Sequence, residues 1–175
     1  GVVERHLRAV GVPYRMLRED TLSVVRRLVP AGRTACPVCS RLRRGILYRA
    51  AVEMGCTSIA LGHHRDDLVE TLLLSALYSG RLKSMPPRLR SDDGRNVVIR
   101  PLCYAAEEGI AAFAEAVRFP VVPCDLCGSQ PNLRRKRVKA LLADLSRENP
   151  NVKGNLMNAL AHVVPGHLLD RGLLR

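Results

Sequence analysis

Apolar residues recur along much of this chain at the three-to-four-residue spacing of helices, interrupted by apolar runs of strand length. Val3, Leu7 and Val10 share one face of a predicted helix over residues 2–10, which Gly11 stops. Thr21 can cap a second helix to about Val29, with Leu22, Val25, Leu28 and Val29 inward, ended by Pro30 and Gly32. Ser40 is the expected cap of a third, whose stripe is Leu42, Ile46, Leu47, Ala50, Ala51 and Met54, with Gly55 closing it. From Asp67 to Tyr78 the pattern is apolar nearly all round, which predicts a helix buried on several sides. Further helices are expected over Ala106–Val117, about Pro131–Leu145 and Val152–Val163.

Between them, Pro13–Leu17, Thr57–Leu61, Val97–Leu102 and Phe119–Val122 read as strands, and residues 79–95 as a loop closing on the Asp93-Gly94 turn. Strands alternating with helices predict an α/β fold: an open, mostly parallel sheet with helices on both faces.

Composition sharpens this picture in two ways. Hydrophobic residues make up 47% of the 175, so a core is available, but aromatics are only 3% and Trp is absent. The core must therefore be aliphatic. The net charge of +12 is clustered, which points to a polyanion such as nucleic acid. One cluster is Arg41, Arg43 and Arg44, a second lies in the 79–95 loop, and a third runs through Arg134, Arg135, Lys136, Arg137 and Lys139. No apolar run is long enough to span a membrane and no signal-peptide pattern is visible, so a cytoplasmic location is expected.

The candidate chemistry starts with sulfur. Cys36-Pro-Val-Cys39 and Cys124-Asp-Leu-Cys127 are separated by 84 residues, and each leads into a basic helix. Two such pairs can build a four-sulfur zinc site or hold an iron–sulfur cluster. Cys56 and Cys103 lie in apolar surroundings and are expected to be buried small hydrophobes. The second constellation is Gly62-His63-His64-Arg65-Asp66-Asp67, at the carboxyl end of a predicted strand, where open α/β sheets place ligands. Gly62 permits close approach, the following helix offers N–H groups to a phosphate, and Asp66 and Asp67 could hold Mg²⁺ beside it. An N-cap role for either aspartate is the alternative.

Several segments together carry a family likeness. Cys36-x-x-Cys39-Ser-Arg-Leu-Arg-Arg-Gly45, Leu61-Gly-His-His-Arg-Asp-Asp67, Met85-Pro-Pro87, Ser91-Asp-Asp-Gly94, Ile99-Arg-Pro-Leu102 and Pro123-Cys-x-Leu-Cys-Gly-Ser-Gln130 resemble the tRNA 2-thiocytidine synthetases of the PP-loop ATP pyrophosphatase superfamily. The resemblance covers about residues 1–170. It implies ATP-dependent conversion of an anticodon-loop cytidine (position 32) to 2-thiocytidine, by adenylation and sulfur transfer through a [4Fe–4S] cluster.

Carried over residue by residue, the cluster ligands would be Cys36, Cys39 and Cys127, with Cys124 as the alternative to Cys127. Gly62, His63 and His64 would face the nucleotide, Asp66 and Asp67 would be catalytic with Mg²⁺, and Arg41, Arg43, Arg44, Arg134 and Arg135 would meet the tRNA. The implied partners are tRNA, a sulfur donor such as a cysteine desulfurase and, as an option, a second copy in a homodimer. Residues 1–130 would belong to the PP-loop-type domain and 131–175 to a basic helical extension.

The family's Ser-Gly-Gly-x-Asp-Ser ATP loop does not occur in this sequence. The resemblance thus implies the carboxyl part of a longer protein, truncated at the amino end, with little ATP hydrolysis by these 175 residues alone. A zinc-stapled tRNA-binding module without catalysis, or a uridine-thiolating sister enzyme, are the competing expectations.

Overall fold

The computed structural model describes residues 1–30, 35–121, 133–169 and 172, with the backbone alone at Cys36 and Leu133. In chain order the described elements are α1 (Val2–Val10), α2 (Thr21–Leu28), α3 (Cys36–Glu53), β1 (Ile59–Ala60), α4 (Arg65–Ser79), β2 (Arg88–Arg90), β3 (Val97–Ile99), α5 (Glu107–Ala116), α6 (Leu133–Glu148) and α7 (Val152–Ala161), with a 3₁₀ turn at Pro165–His167. They fall into two compact units, each built from three stretches of chain. The first comprises Gly1–Leu61, Arg88–Ile99 and Glu107–Asn132; the second comprises Gly62–Pro87, Arg100–Ala106 and Leu133–Arg175. The expected boundary at residue 130 lies outside the described residues.

In the first unit the sheet differs from expectation. Among the described residues it has three strands in the order β1-β3-β2, with β1 parallel and β2 antiparallel to β3. Val98, almost fully buried, is opposite Ile59 on one side and Leu89 on the other. The antiparallel half exists because residues 91–96 make a built turn. Gly94 takes a left-handed φ of 71°, and the Ser91 N–H donates to the Asn96 carbonyl at 2.9 Å. The Ser91 hydroxyl and the Arg95 N–H both donate to the Asp93 carboxylate, at 2.6 and 3.1 Å. β2 itself is exposed throughout and reads Arg-Leu-Arg, the charged character of a protected edge strand.

Two expected strands do not form among the described residues. At Pro13–Leu17 the chain is instead held against α1, where Arg8 donates to the Tyr14 hydroxyl at 3.1 Å. After α5, the Phe119 N–H turns back to the Ala114 carbonyl at 2.7 Å and its ring meets His6 edge-on at 4.9 Å. Val122, the end of that expected strand, lies outside the described residues. Helix starts also shift. Asp20, one residue before Thr21, caps α2 by accepting from the Ser23 N–H at 3.1 Å. α3 begins at Cys36 rather than at Ser40. Pro37 suits that first turn, since it has no N–H to lose and its φ is already helical. α2 and α3 pack together, burying Val25, Ala50 and Ala51.

The second unit is a helical core. α4 packs on α6 and α7, and these two on each other. Val69, Val138 and Leu142 are its buried centre, covered by Leu73, Leu74, Leu156 and Met157. Val69, Leu73 and Leu74 of α4 meet these two partners, while Leu77 of the same helix stays exposed. No helix among the described residues is long and apolar enough to cross a membrane.

Candidate functional site

The first two turns of α4 carry three carboxylates, and all three are engaged by cations. Asp66 is 2% exposed. Lys153 of α7 reaches its Oδ1 at 2.6 Å and Arg65 its Oδ2 at 3.4 Å. Asp67 Oδ1 receives Arg135 of α6 at 3.2 Å, while its Oδ2 accepts the His64 N–H at 3.2 Å and so caps the helix. Glu70, equally buried, is paired with Arg135 at 3.2 Å and with Lys139 at 3.9 Å. Charges that far from water persist only when paired, so each contact is a condition of the helix packing as it does.

The turn before α4 is open on one side. A Cβ placed at Gly62 would meet nothing within 4 Å. His63 and His64 are half-buried, and the Nδ1 of each is shielded from water without a hydrogen-bond partner among the described residues. Burial first, and then the positive charge of Arg100, hold the His63 imidazole below its ordinary value, with Asp67 pulling the other way. The loop after β3 lies alongside this turn. Its Ala105 carbonyl accepts the Arg65 N–H at 3.0 Å, so one of the helix's amino-terminal donors is already used.

The predicted site residues therefore separate into groups. His63, His64, Asp66, Asp67 and Arg135 come together in the second unit, although Arg135 is a half-buried partner of carboxylates rather than a free surface cation. Arg134 is exposed, with its guanidinium 4.8 Å from the centre of the Tyr78 ring. In the first unit, Arg41, Arg43 and Arg44 are exposed on α3, with no ion pair among the described residues.

Cys39 is a free, half-buried thiol in the first turn of α3, and Cys36 begins that helix. Cys124 and Cys127 lie outside the described residues. Cys103 is buried as expected, but Cys56 is exposed: it follows Gly55, whose φ of 65° turns the chain outward from α3. Among the described residues no group of three His, Cys, Asp or Glu side chains is placed to hold a metal ion.

Three residues of this cluster were not singled out from the sequence: Glu70, Arg100 and Lys153. Glu70 carried a usable signal, since a carboxylate inside Leu68-Val69-Glu70-Thr71-Leu72 must find a cation once that helix is buried. Arg100 stood in the sequence only inside the Ile99-Arg-Pro-Leu102 segment, with no role given to it, and Lys153 had no comparable signal because its partner Asp66 is remote in sequence.

The comparisons with known proteins give a fold and then relatives in sequence. The fold matches that of the "U34-tRNA thiolase NcsA from Methanococcus maripaludis with its [4Fe-4S] cluster", with a TM-score of 0.69 over 92% of this chain and 56% of that one, at 20% identity. This likeness establishes the fold alone. No family model matches the chain.

Sequence relatives are far closer. A tRNA-cytidine(32) 2-sulfurtransferase of Anaeromyxobacter sp. (strain K) is 83% identical over 174 residues, which is 99% of this chain and 60% of the relative. Another with that name, from Burkholderia mallei (strain SAVP1), is 57% identical over 172 residues, covering 98% of this chain and 52% of the relative. The chain is thus similar over nearly its whole length to proteins named tRNA-cytidine(32) 2-sulfurtransferase, and spans a little over half the length of these relatives.

Proposed function

We propose that this chain is the cluster-bearing and tRNA-facing portion of an ATP-dependent tRNA thiolation enzyme that converts cytidine 32 to 2-thiocytidine. The observation that carries this reading is the 83% identity, over 99% of the chain, to a tRNA-cytidine(32) 2-sulfurtransferase. Cys36, Cys39 and Cys127, or Cys124 in its place, would hold the [4Fe–4S] cluster. Two of these sit one helical turn apart at the start of α3, the helix end that favours anionic ligands. When bound, the cluster supplies the sulfur-transfer chemistry.

Arg41, Arg43, Arg44 and Arg134 meet tRNA phosphates, being exposed cations with no carboxylate paired to them among the described residues. Gly62, His63 and His64 border the nucleotide, in the open space before α4.

Magnesium does not fit Asp66 and Asp67 as they stand. Lys153 and Arg135 already occupy their carboxylates, and no third acidic or imidazole ligand completes a site among the described residues. We assign both aspartates to holding the Gly62–Arg65 turn in place, and route no step through the ion.

Anaerobic purification of the chain and of its Cys39→Ala variant tests the cluster. A brown protein with bound iron and sulfide, lost in the variant, is expected. A colourless protein with stoichiometric zinc would overturn it. Expression of the complete gene in cells lacking 2-thiocytidine, followed by nucleoside mass spectrometry, tests the product. Appearance of 2-thiouridine instead would assign the uridine reaction.

A further inference from the structure

Arg100 stands out in the second unit as a buried cation with no ion pair among the described residues. It is 8% exposed, and the one side-chain hydrogen bond it makes among the described residues runs from NH1 to the Pro86 carbonyl. Its Nε is shut off from water and bonds to nothing there. Its backbone is fixed on both sides: the N–H donates to the Pro87 carbonyl at 2.8 Å and the carbonyl accepts the Cys103 N–H at 3.1 Å. The side chain is therefore held in the interior by a rigid loop, not resting there by chance. A guanidinium taken out of water needs a counter-charge.

Among the described residues no carboxylate pairs with it, and Asp66, Asp67 and Glu70 are engaged by Arg65, Arg135, Lys139 and Lys153. The Ile99 carbonyl accepts the Leu61 N–H at 2.9 Å, so Arg100 follows its strand alongside the Gly62–His64 turn, and its charge is the strongest of those acting on His63. There Gly62 leaves room, and the amino-terminal end of α4, a fifteen-residue helix whose first-turn Asp66 and Asp67 are paired with cations, favours an anion.

We propose that Arg100 is the buried half of a phosphoryl-oxyanion site bordered by Gly62, His63 and the start of α4. The anion is a phosphate group, whose tetrahedral oxygens match the two-pronged donor edge formed by Nε and a terminal nitrogen. The same chemistry could come from the pyrophosphate of a nucleotide or from a backbone phosphate of RNA. The assignment deepens the nucleotide role given to Gly62 and His63 above and rests on that reading only for which of the two sources is the natural one.

The test uses the whole chain and two probes, inorganic pyrophosphate and an anticodon stem-loop RNA, at matched ionic strength, with thermal unfolding and calorimetric titration as readouts. Pyrophosphate is expected to raise the unfolding temperature of the wild type. Arg100→Met should weaken its binding about tenfold or more, the loss of a charge-assisted bond, and Arg100→Lys should fall between. Without any anion, Arg100→Met should unfold at the same temperature as wild type or higher, because it removes an uncompensated charge. A merely structural arginine would make it lower.

Stabilisation by the stem-loop alone, lost on the same substitution, would assign the RNA phosphate as the ligand and sustain the site. Response to neither probe, a response retained in Arg100→Met, or an anion-free variant that unfolds earlier than wild type would each overturn the proposal. Should Arg100→Met not be obtained folded, Arg100→Lys with unchanged affinity for both probes would overturn it as well. A failed thiolation assay with Arg100-dependent pyrophosphate binding intact would count against the proposed function and leave the site standing.

Discussion

Lys153→Met probes the link between α7 and the start of α4. In the native protein Lys153 Nζ lies 2.6 Å from Asp66, whose side chain is 2% exposed, while Lys153 itself is 20% exposed. Methionine keeps most of the aliphatic stem and removes the charge. The loss is then dominated by the carboxylate left behind, since removing one partner of a buried pair costs about 3–5 kcal/mol. Arg65, at 3.4 Å, retains part of the compensation, which favours the lower end. For a protein of this size each kcal/mol moves the melting temperature by about 2–4 °C, so the expected drop is roughly 6–12 °C.

Urea unfolding followed by circular dichroism measures it, with an unchanged slope showing that the unfolded state is unaffected. Asp66→Asn in the Lys153→Met background should recover much of the loss, because the stranded charge is gone; the four-member cycle gives the coupling directly. A cost below about 1 kcal/mol for Lys153→Met alone, with the slope unchanged, would show that the pair does not hold α7 to α4.

Further outcomes follow from the same contacts. Leu142→Ala, in the buried centre of the helical unit, should destabilise by about 2–5 kcal/mol by equilibrium unfolding. Asp93 is held below the ordinary carboxylate value first by the Ser91 hydroxyl and then by the Arg95 N–H. Its contribution to the β2–β3 turn is therefore present above about pH 4 and is lost as pH falls through its lower folded value. Amide exchange of Val97–Ile99 should speed up over that range in wild type and much less in Asp93→Asn. Arg43→Ala with Arg44→Ala should weaken tRNA binding and reduce its salt slope by up to about two; equal affinity at moderate salt would place both on an idle face.

The helices were legible because their periodicity is local: α1, α2, α4 and α7 lie within a few residues of where the apolar spacing predicts them. The sheet was less so. Arg88-Leu89-Arg90 has no strand-like apolar character, and only its pairing with Val97–Ile99 makes it β2. Pro13–Leu17 has that character but no ladder partner among the described residues. At the site, the position of Gly62–Asp67 before a buried helix was readable. The neutralisation of Asp66 and Asp67 was not, because Arg135 and Lys153 reach them from helices some seventy to ninety residues later. Cys36-x-x-Cys39 was readable as a thiol pair leading into a helix, but not as that helix's opening turn.

Because the backbone passes back and forth between its two halves at Leu61, Pro87, Ile99, Ala106 and Asn132, neither half exists as a contiguous peptide. A protease or a gene truncation that cuts once between residues 62 and 132 would divide both halves at once. Dissection by deletion is therefore unsuited to assigning tasks to one half or the other, and point substitutions within an intact chain are the route that leaves each half whole.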